Sequence, residues 1–201
     1  MFPGNHKMQN APTILGRKPR LVCVVTISMS LKFFEGQLAY LAAHGFDVTM
    51  VSSPGHELER MARDGVATWA IPMEREISLL RDMASLWALW RLFRRLRPDI
   101  VNVGTPKAGM LGTLAARMAG VPCVTYTLHG LRLETTSGWK RRLLMLTEGT
   151  ACKLADSVCC VSHSLQKRAV DIGIVRLGKT RVMGRGTVNG VNRVSVNSWI
   201  E

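Results

Sequence analysis

The sequence predicts an α/β fold, a doubly wound parallel sheet in a single domain, on three observations. Short apolar runs of strand length alternate with amphipathic stretches of helix length. The first of them, Leu21 to Thr26, is continuous, as a central parallel strand buried on both faces requires. Glycine or proline punctuates several junctions, at Gly45, at Pro54 and Gly55, and at Pro98.

Taken in order, Leu21 to Thr26 is the first strand, a pure run of LVCVVT. Leu31 to His44 follows as a helix with Phe34, Leu38 and Leu41 on one face, and Gly45 stands just past its end. Phe46 to Val51 is the second strand, and Ser52 to Gly55 turn it into a short helix, His56 to Arg63. Ala67 to Ile71 is the third strand, Ser78 to Arg97 a long helix and Ile100 to Val103 the fourth strand. Lys107 to Ala119 is the next helix, Val121 to Thr127 the fifth strand and Ser137 to Leu154 a further helix. Ser157 to Val161, a helix from Ser164 to Asp171 and a short strand at Arg181 to Met183 complete the pattern. The expected organisation is a flexible start over 1–19, one domain over 20–183 and a hinge or tail over 184–201. The switch point of such a sheet lies near the first and fourth strands.

Composition narrows the function classes. The 201 residues suit one domain with a real core. A formal charge of +13 favours an anionic partner: nucleic acid, an acidic membrane surface or a phosphorylated small molecule. Nucleic acid is the weakest of these, because no recognised binding motif accompanies the charge. The five cysteines form no CxxC pair and no metal-ligand spacing, so they read as small core residues in a reducing compartment, and no metal is expected. The first twenty residues lack the apolar run of a signal peptide, and 18 consecutive apolar residues occur nowhere. A cytoplasmic location is expected.

The candidate site starts at the junction after the fourth strand. Thr105 reads as an N-cap, Pro106 as the first helical residue, and Lys107 as a cation in the first turn. Free backbone N–H groups there, with Lys107, suit a phosphate. The loop after the first strand (Ser28 to Glu35) and the loop after the fifth (Leu128 to Glu134) share that crevice. No GxGxxG or GxxxxGK[ST] is present. Ser28 and Ser30 either line the pocket or cap the following helix. His129, past a strand end and before Gly130, is either a hydrogen-bond or proton-transfer group or a structural loop residue. Arg132 and Glu134 are either an ion pair or direct ligand contacts.

Residues 79–97 form an unusual helix. Leu79, Met83, Leu86, Trp90 and Phe93 keep helical spacing with Trp87 alongside, and Arg91, Arg94, Arg95 and Arg97 crowd the C-terminal end. One reading is an interfacial helix on anionic lipid. The other is a core helix covering the sheet, with cations suited to the macrodipole. A stripe wider than the sheet needs serves both.

Several of these segments resemble the N-terminal domain of glycosyltransferase family 4. They are Arg97-Pro98-Asp99-Ile100-Val101, Thr105-Pro106-Lys107-Ala108-Gly109-Met110-Leu111-Gly112 and Leu114-Ala115-Ala116-Arg117. Ala119-Gly120-Val121-Pro122, Tyr126-Thr127-Leu128-His129-Gly130, Val161-Ser162-His163-Ser164-Leu165 and Gly186-Thr187-Val188-Asn189-Gly190-Val191 complete the set. The resemblance spans about Leu21 to Val191. It implies a Rossmann-like domain, the N-terminal half of a GT-B architecture, in a retaining enzyme that needs no cofactor or metal.

Such an enzyme moves a sugar from a nucleotide-sugar donor to a glycan acceptor, often lipid-linked and serving bacterial surface polysaccharide. His129 would then face the reacting sugar or donor phosphate, and Lys107 and the Thr105 helix would hold an anion. Ser28, Lys32, Arg132 and Glu134 would line the cleft. The family's hinge Asn-Gly-Val-Asp departs here to Asn192, followed by a tail unlike it. The expectation is therefore an acceptor-binding half: a truncated product or a split subunit, inactive alone, peripheral at the inner face of the plasma membrane.

Overall fold

The computed structural model describes residues 16–34, 36–74, 78–184 and 186. The expected segment 1–19 lies mostly outside them, and the hinge and tail expected over 184–201 almost wholly so. Seven strands form one sheet in the order β3-β2-β1-β4-β5-β6-β7: β1 (Arg20–Val24), β2 (Asp47–Ser52), β3 (Ala67–Ala70), β4 (Ile100–Gly104), β5 (Cys123–Leu128), β6 (Ser157–Cys160) and β7 (Thr180–Val182). Every pairing is parallel. The helices are α1 (Gln37–Ala43), α2 (His56–Arg63), α3 (Leu79–Leu96), α4 (Pro106–Ala119), α5 (Gly138–Leu154) and α6 (His163–Asp171). This is the doubly wound sheet that the alternation predicts, with its switch point between β1 and β4.

Strand β1 shows why its apolar run is unbroken. Val22 and Val24 pack with α3, α4 and α5 residues such as Leu89, Phe93 and Leu111. Cys23 and Val25 pack with Leu31, Phe34, Leu58 and Met61 on the opposite face. All five cysteines are free thiols. At the N-terminal end of the sheet, Asp99 accepts both Arg17 guanidinium nitrogens at 2.7 and 2.8 Å and the Arg20 N–H at 2.8 Å. The Arg17 hydrogen bond holds that carboxyl below its ordinary range.

Two elements differ from expectation. The first helix is broken into a 3-10 helix, Ser28–Phe34, and the short α1, because Gly36 at φ +79° cannot continue an α-helix. Its apolar face survives the break: Phe34 is buried, and Leu38 and Leu41 pack beside it. Strand β5 begins two residues late, since Gly120 at φ +74° and the Val121 N–H bonded to Ala116 O close α4 first.

Candidate functional site

Three loops meet at the C-terminal ends of β1, β4 and β5. Thr26, Ile27 and Ser30 from the first, Thr105, Pro106 and Lys107 from the second, and Arg132 from the third line one cavity of about 630 Å³. The rest of its wall is largely apolar, from α3 (Leu79, Met83, Leu86), α4 (Met110, Leu111, Leu114) and α5 (Leu143, Leu144).

The junction after β4 is built differently from the expected N-cap. Thr105 sits at φ +70°, and its side chain makes no cap bond to α4. Its hydroxyl oxygen accepts the Thr26 N–H at 3.1 Å and pairs with the Thr26 hydroxyl at 2.7 Å. The Thr26 hydroxyl in turn accepts the Ala108 N–H at 3.2 Å. The cap of α4 therefore comes from the end of β1, which ties the two switch-point strands together. A non-glycine residue at positive φ persists only where its surroundings hold it, and this hydroxyl pair does so.

Lys107 reaches the cavity as half of an ion pair. Its Nζ donates to Asp82 Oδ1 at 2.7 Å, and both side chains are largely shielded from solvent. The pair locks α4 to the first turn of α3 and matches the charge read from the sequence as an anion ligand. Lys32 pairs with Glu57 at 3.4 Å and lies outside the cavity lining. Ser28 also lies outside it, packed so that a Cβ on Gly55 would fall 2.2 Å from its Oγ. Glu134 pairs with Arg168 at 2.7 Å, not with Arg132. That bond fastens the loop after β5 to α6 and leaves Arg132 exposed in the cavity wall.

His129, just past the end of β5, is likewise outside the cavity lining. Its ring stacks on Phe33, with centroids 4.3 Å apart and planes at 20°. A Cβ on Gly104 would come within 3.0 Å of its Nε2, so the glycine makes room for the ring. Both ring nitrogens are buried, with no hydrogen-bond partner among the described residues. Burial pushes the imidazole down from 6.5 to about 4, so it is neutral near pH 7. A neutral ring keeps one donor and one acceptor, and because both nitrogens lie below the surface a ligand hydroxyl meets them only if the ring or Phe33 shifts.

Two groups here escaped the sequence reading. One is Asp82, whose signal was its place in the first turn of α3. The other is Glu148 in α5, fully buried with both carboxylate oxygens unpartnered among the described residues. Burial lifts its carboxyl from 4.5 to about 7. Tyr126 lies near it, with its ring directly beneath Gly109, where a Cβ would approach within 2.6 Å. No sequence pattern marks a buried glutamate on a helix with so many surface cations.

Helix α3 divides along its length. Leu86, Leu89, Leu92 and Phe93 are buried on the sheet, as a core helix requires. Toward its start, Leu80 is 86% exposed, Met83 61% and Trp87 56%. The Arg91 guanidinium lies 4.5 Å over the Trp87 ring, and that of Arg95 lies 5.1 Å over Trp69. No described helix is long and apolar enough to cross a membrane.

Residues 32–186 match the glycosyl transferase 4-like domain family. The capsular polysaccharide biosynthesis glycosyltransferase CapM of Staphylococcus aureus is 38% identical over 87% of this chain and 46% of its own length. An Escherichia coli UDP-Gal:alpha-D-GlcNAc-diphosphoundecaprenol alpha-1,3-galactosyltransferase is 38% identical over 67% of this chain and 34% of its own. The chain thus spans half or less of the length of these curated relatives. A solved glycosyltransferase from Rickettsia africae superposes with a TM-score of 0.67 at 13% identity, over 90% of this chain and 48% of that one.

Proposed function

This chain belongs to the glycosyl transferase 4-like family, and we propose that its described domain is the acceptor-binding half of a retaining glycosyltransferase. In this reading a nucleotide-sugar donor is held mainly by a partner domain, and the acceptor is a glycan carried on a lipid diphosphate. The relatives' names support both the reaction class and the kind of acceptor. The observation that carries the assignment to the crevice is His129: a neutral ring at the end of β5 whose two buried nitrogens have no partner among the described residues. It faces the reacting sugar, while Arg132 and the Thr105–Lys107 turn frame the anionic group. Because Lys107 is matched by Asp82, Arg132 supplies the net positive charge there.

The same reading places the domain on an anionic membrane through the exposed start of α3 and the protein's excess of cations. Each Lys or Arg near such a surface contributes about 1 kcal/mol. Sedimentation with vesicles should show salt-sensitive binding only where acidic lipid is present; equal, negligible binding to acidic and neutral vesicles would leave α3 as core alone. Calorimetric titration tests the acceptor assignment. A water-soluble sugar diphosphate ester should bind to the chain more tightly than UDP does, and the reverse order would assign the domain to the donor.

A further inference from the structure

The cavity beside the switch point is mostly hydrocarbon, although a glycan acceptor needs hydroxyl and charge partners. Its polar groups are Thr26, Ser30, Thr105 and Arg132 from the loops, the mutually paired Asp82 and Lys107, and Thr147 of α5. Apart from Ile27 and Pro106, the rest of the wall is leucine and methionine from three helices, and its volume of about 630 Å³ is that of a small-molecule site. Leu79 and Met83 belong both to this wall and to the exposed start of α3, so the cavity opens along that helix. On the other side of the opening, α5 contributes Leu143 and Leu144 to the wall while Trp139 and Leu146 are exposed. Lys140 lies 6.0 Å from the Trp139 ring, as Arg91 lies over Trp87. Both helices at the opening thus carry an exposed tryptophan with a cation against it, the pattern of a surface resting in lipid headgroups.

We propose that this cavity takes up the first isoprenoid units of a diphosphate-linked lipid, drawn from the membrane between α3 and α5, with the diphosphate at the Arg132 end. The inference rests on the acceptor-side reading above and adds that the domain recognises the carrier lipid as well as its headgroup. The wall explains the occupant: a chain with no polar atoms leaves none of its own unpaired there, whereas a glycan would strand its hydroxyls against leucine. It also explains why the apolar stripe of α3 runs past the sheet.

The test is titration calorimetry of the 201-residue chain with inorganic diphosphate, farnesol and farnesyl diphosphate. Farnesyl diphosphate should bind about tenfold or more tightly than inorganic diphosphate, a gain of about 1.4 kcal/mol or more. Leu114→Trp, which fills the cavity, should remove that gain and leave inorganic diphosphate unchanged. Met83→Asp, at an exposed position where folding is not at risk, should weaken both prenyl probes. Equal affinity for the diphosphates, or a gain that survives both substitutions, overturns the inference while leaving the headgroup site intact. Farnesol binding that Leu114→Trp abolishes, with no diphosphate binding, supports the cavity and instead defeats the headgroup reading. Sedimentation equilibrium completes the test: a dimer that farnesyl diphosphate does not dissociate would assign this face to a second copy and overturn the inference.

Discussion

The loops after β4 and β5 carry the two residues that stand out most in the sequence, Lys107 and His129, and the structure treats them in opposite ways. Lys107 is answered within the fold by Asp82 at 2.7 Å. His129 is packed between Phe33 and Gly104 yet has no partner for either ring nitrogen among the described residues. A cation with a matched, shielded counterion mainly holds two helices together. A polar ring whose buried nitrogens find no partner among the described residues carries a cost that a ligand can remove. On the proposed function, the first loop does structural work and the second carries the chemistry.

The comparison breaks most visibly at His129. In a fusion of this domain to the part of the Staphylococcus aureus relative that this chain does not match, His129→Ala should lower turnover by about 10²–10⁴-fold, as loss of a positioned proton-transfer group does. Near-normal turnover with unchanged folding would return His129 to a packing role. Asp82→Asn tests the other side. It takes the Asp82 charge away from Lys107, which should cost about 1–3 kcal/mol of stability in denaturant titration. It should also raise affinity for inorganic diphosphate several-fold. No gain in anion affinity would mean that Lys107 does not face the ligand.

The two buried titrating groups sharpen the comparison through pH. The imidazole of His129 is lowered to about 4, so the unfolded chain holds its proton more tightly, and stability should fall as pH drops from 6.5 to 4. Glu148 is raised to about 7, so the folded chain keeps its proton longer, and stability should fall as pH rises from 4.5 to 7. The melting temperature of Glu148→Gln relative to the parent should therefore climb across that second window and then level off. The smallest effect is expected at Gly104→Ala, whose Cβ would press on His129 Nε2 at 3.0 Å. A loss of about 1 kcal/mol, with turnover reduced more than stability, would show that the glycine positions the ring.

Much of this was legible in the sequence, and the gaps share a cause. The unbroken run at Leu21–Thr26 reports burial on both faces, and with the regular strand–helix alternation it makes the sheet and its switch point follow from pattern alone. The convergence of the Ser30, Thr105 and Arg132 loops then follows from topology. What pattern could not show is who partners whom. Thr105 reads as a cap because it precedes Pro106, but its hydroxyl turns to Thr26, 79 residues earlier. Lys107 finds Asp82 25 positions away, and Glu134 finds Arg168 34 positions away. The even stripe on α3 likewise hides where the sheet ends, so Leu79 and Met83 look like Leu86 until the fold is seen.

The claim that this domain serves the acceptor, and leaves donor chemistry to another domain, is tested most directly by nucleotide-sugar turnover with a purified polypeptide of these 201 residues. Stabilisation of the transition-state charge is usually the largest share of a rate enhancement, and the account places those groups on the donor side. It predicts a folded protein with no turnover and only weak calorimetric binding of nucleoside diphosphates. Robust sugar transfer by the isolated polypeptide would contradict it.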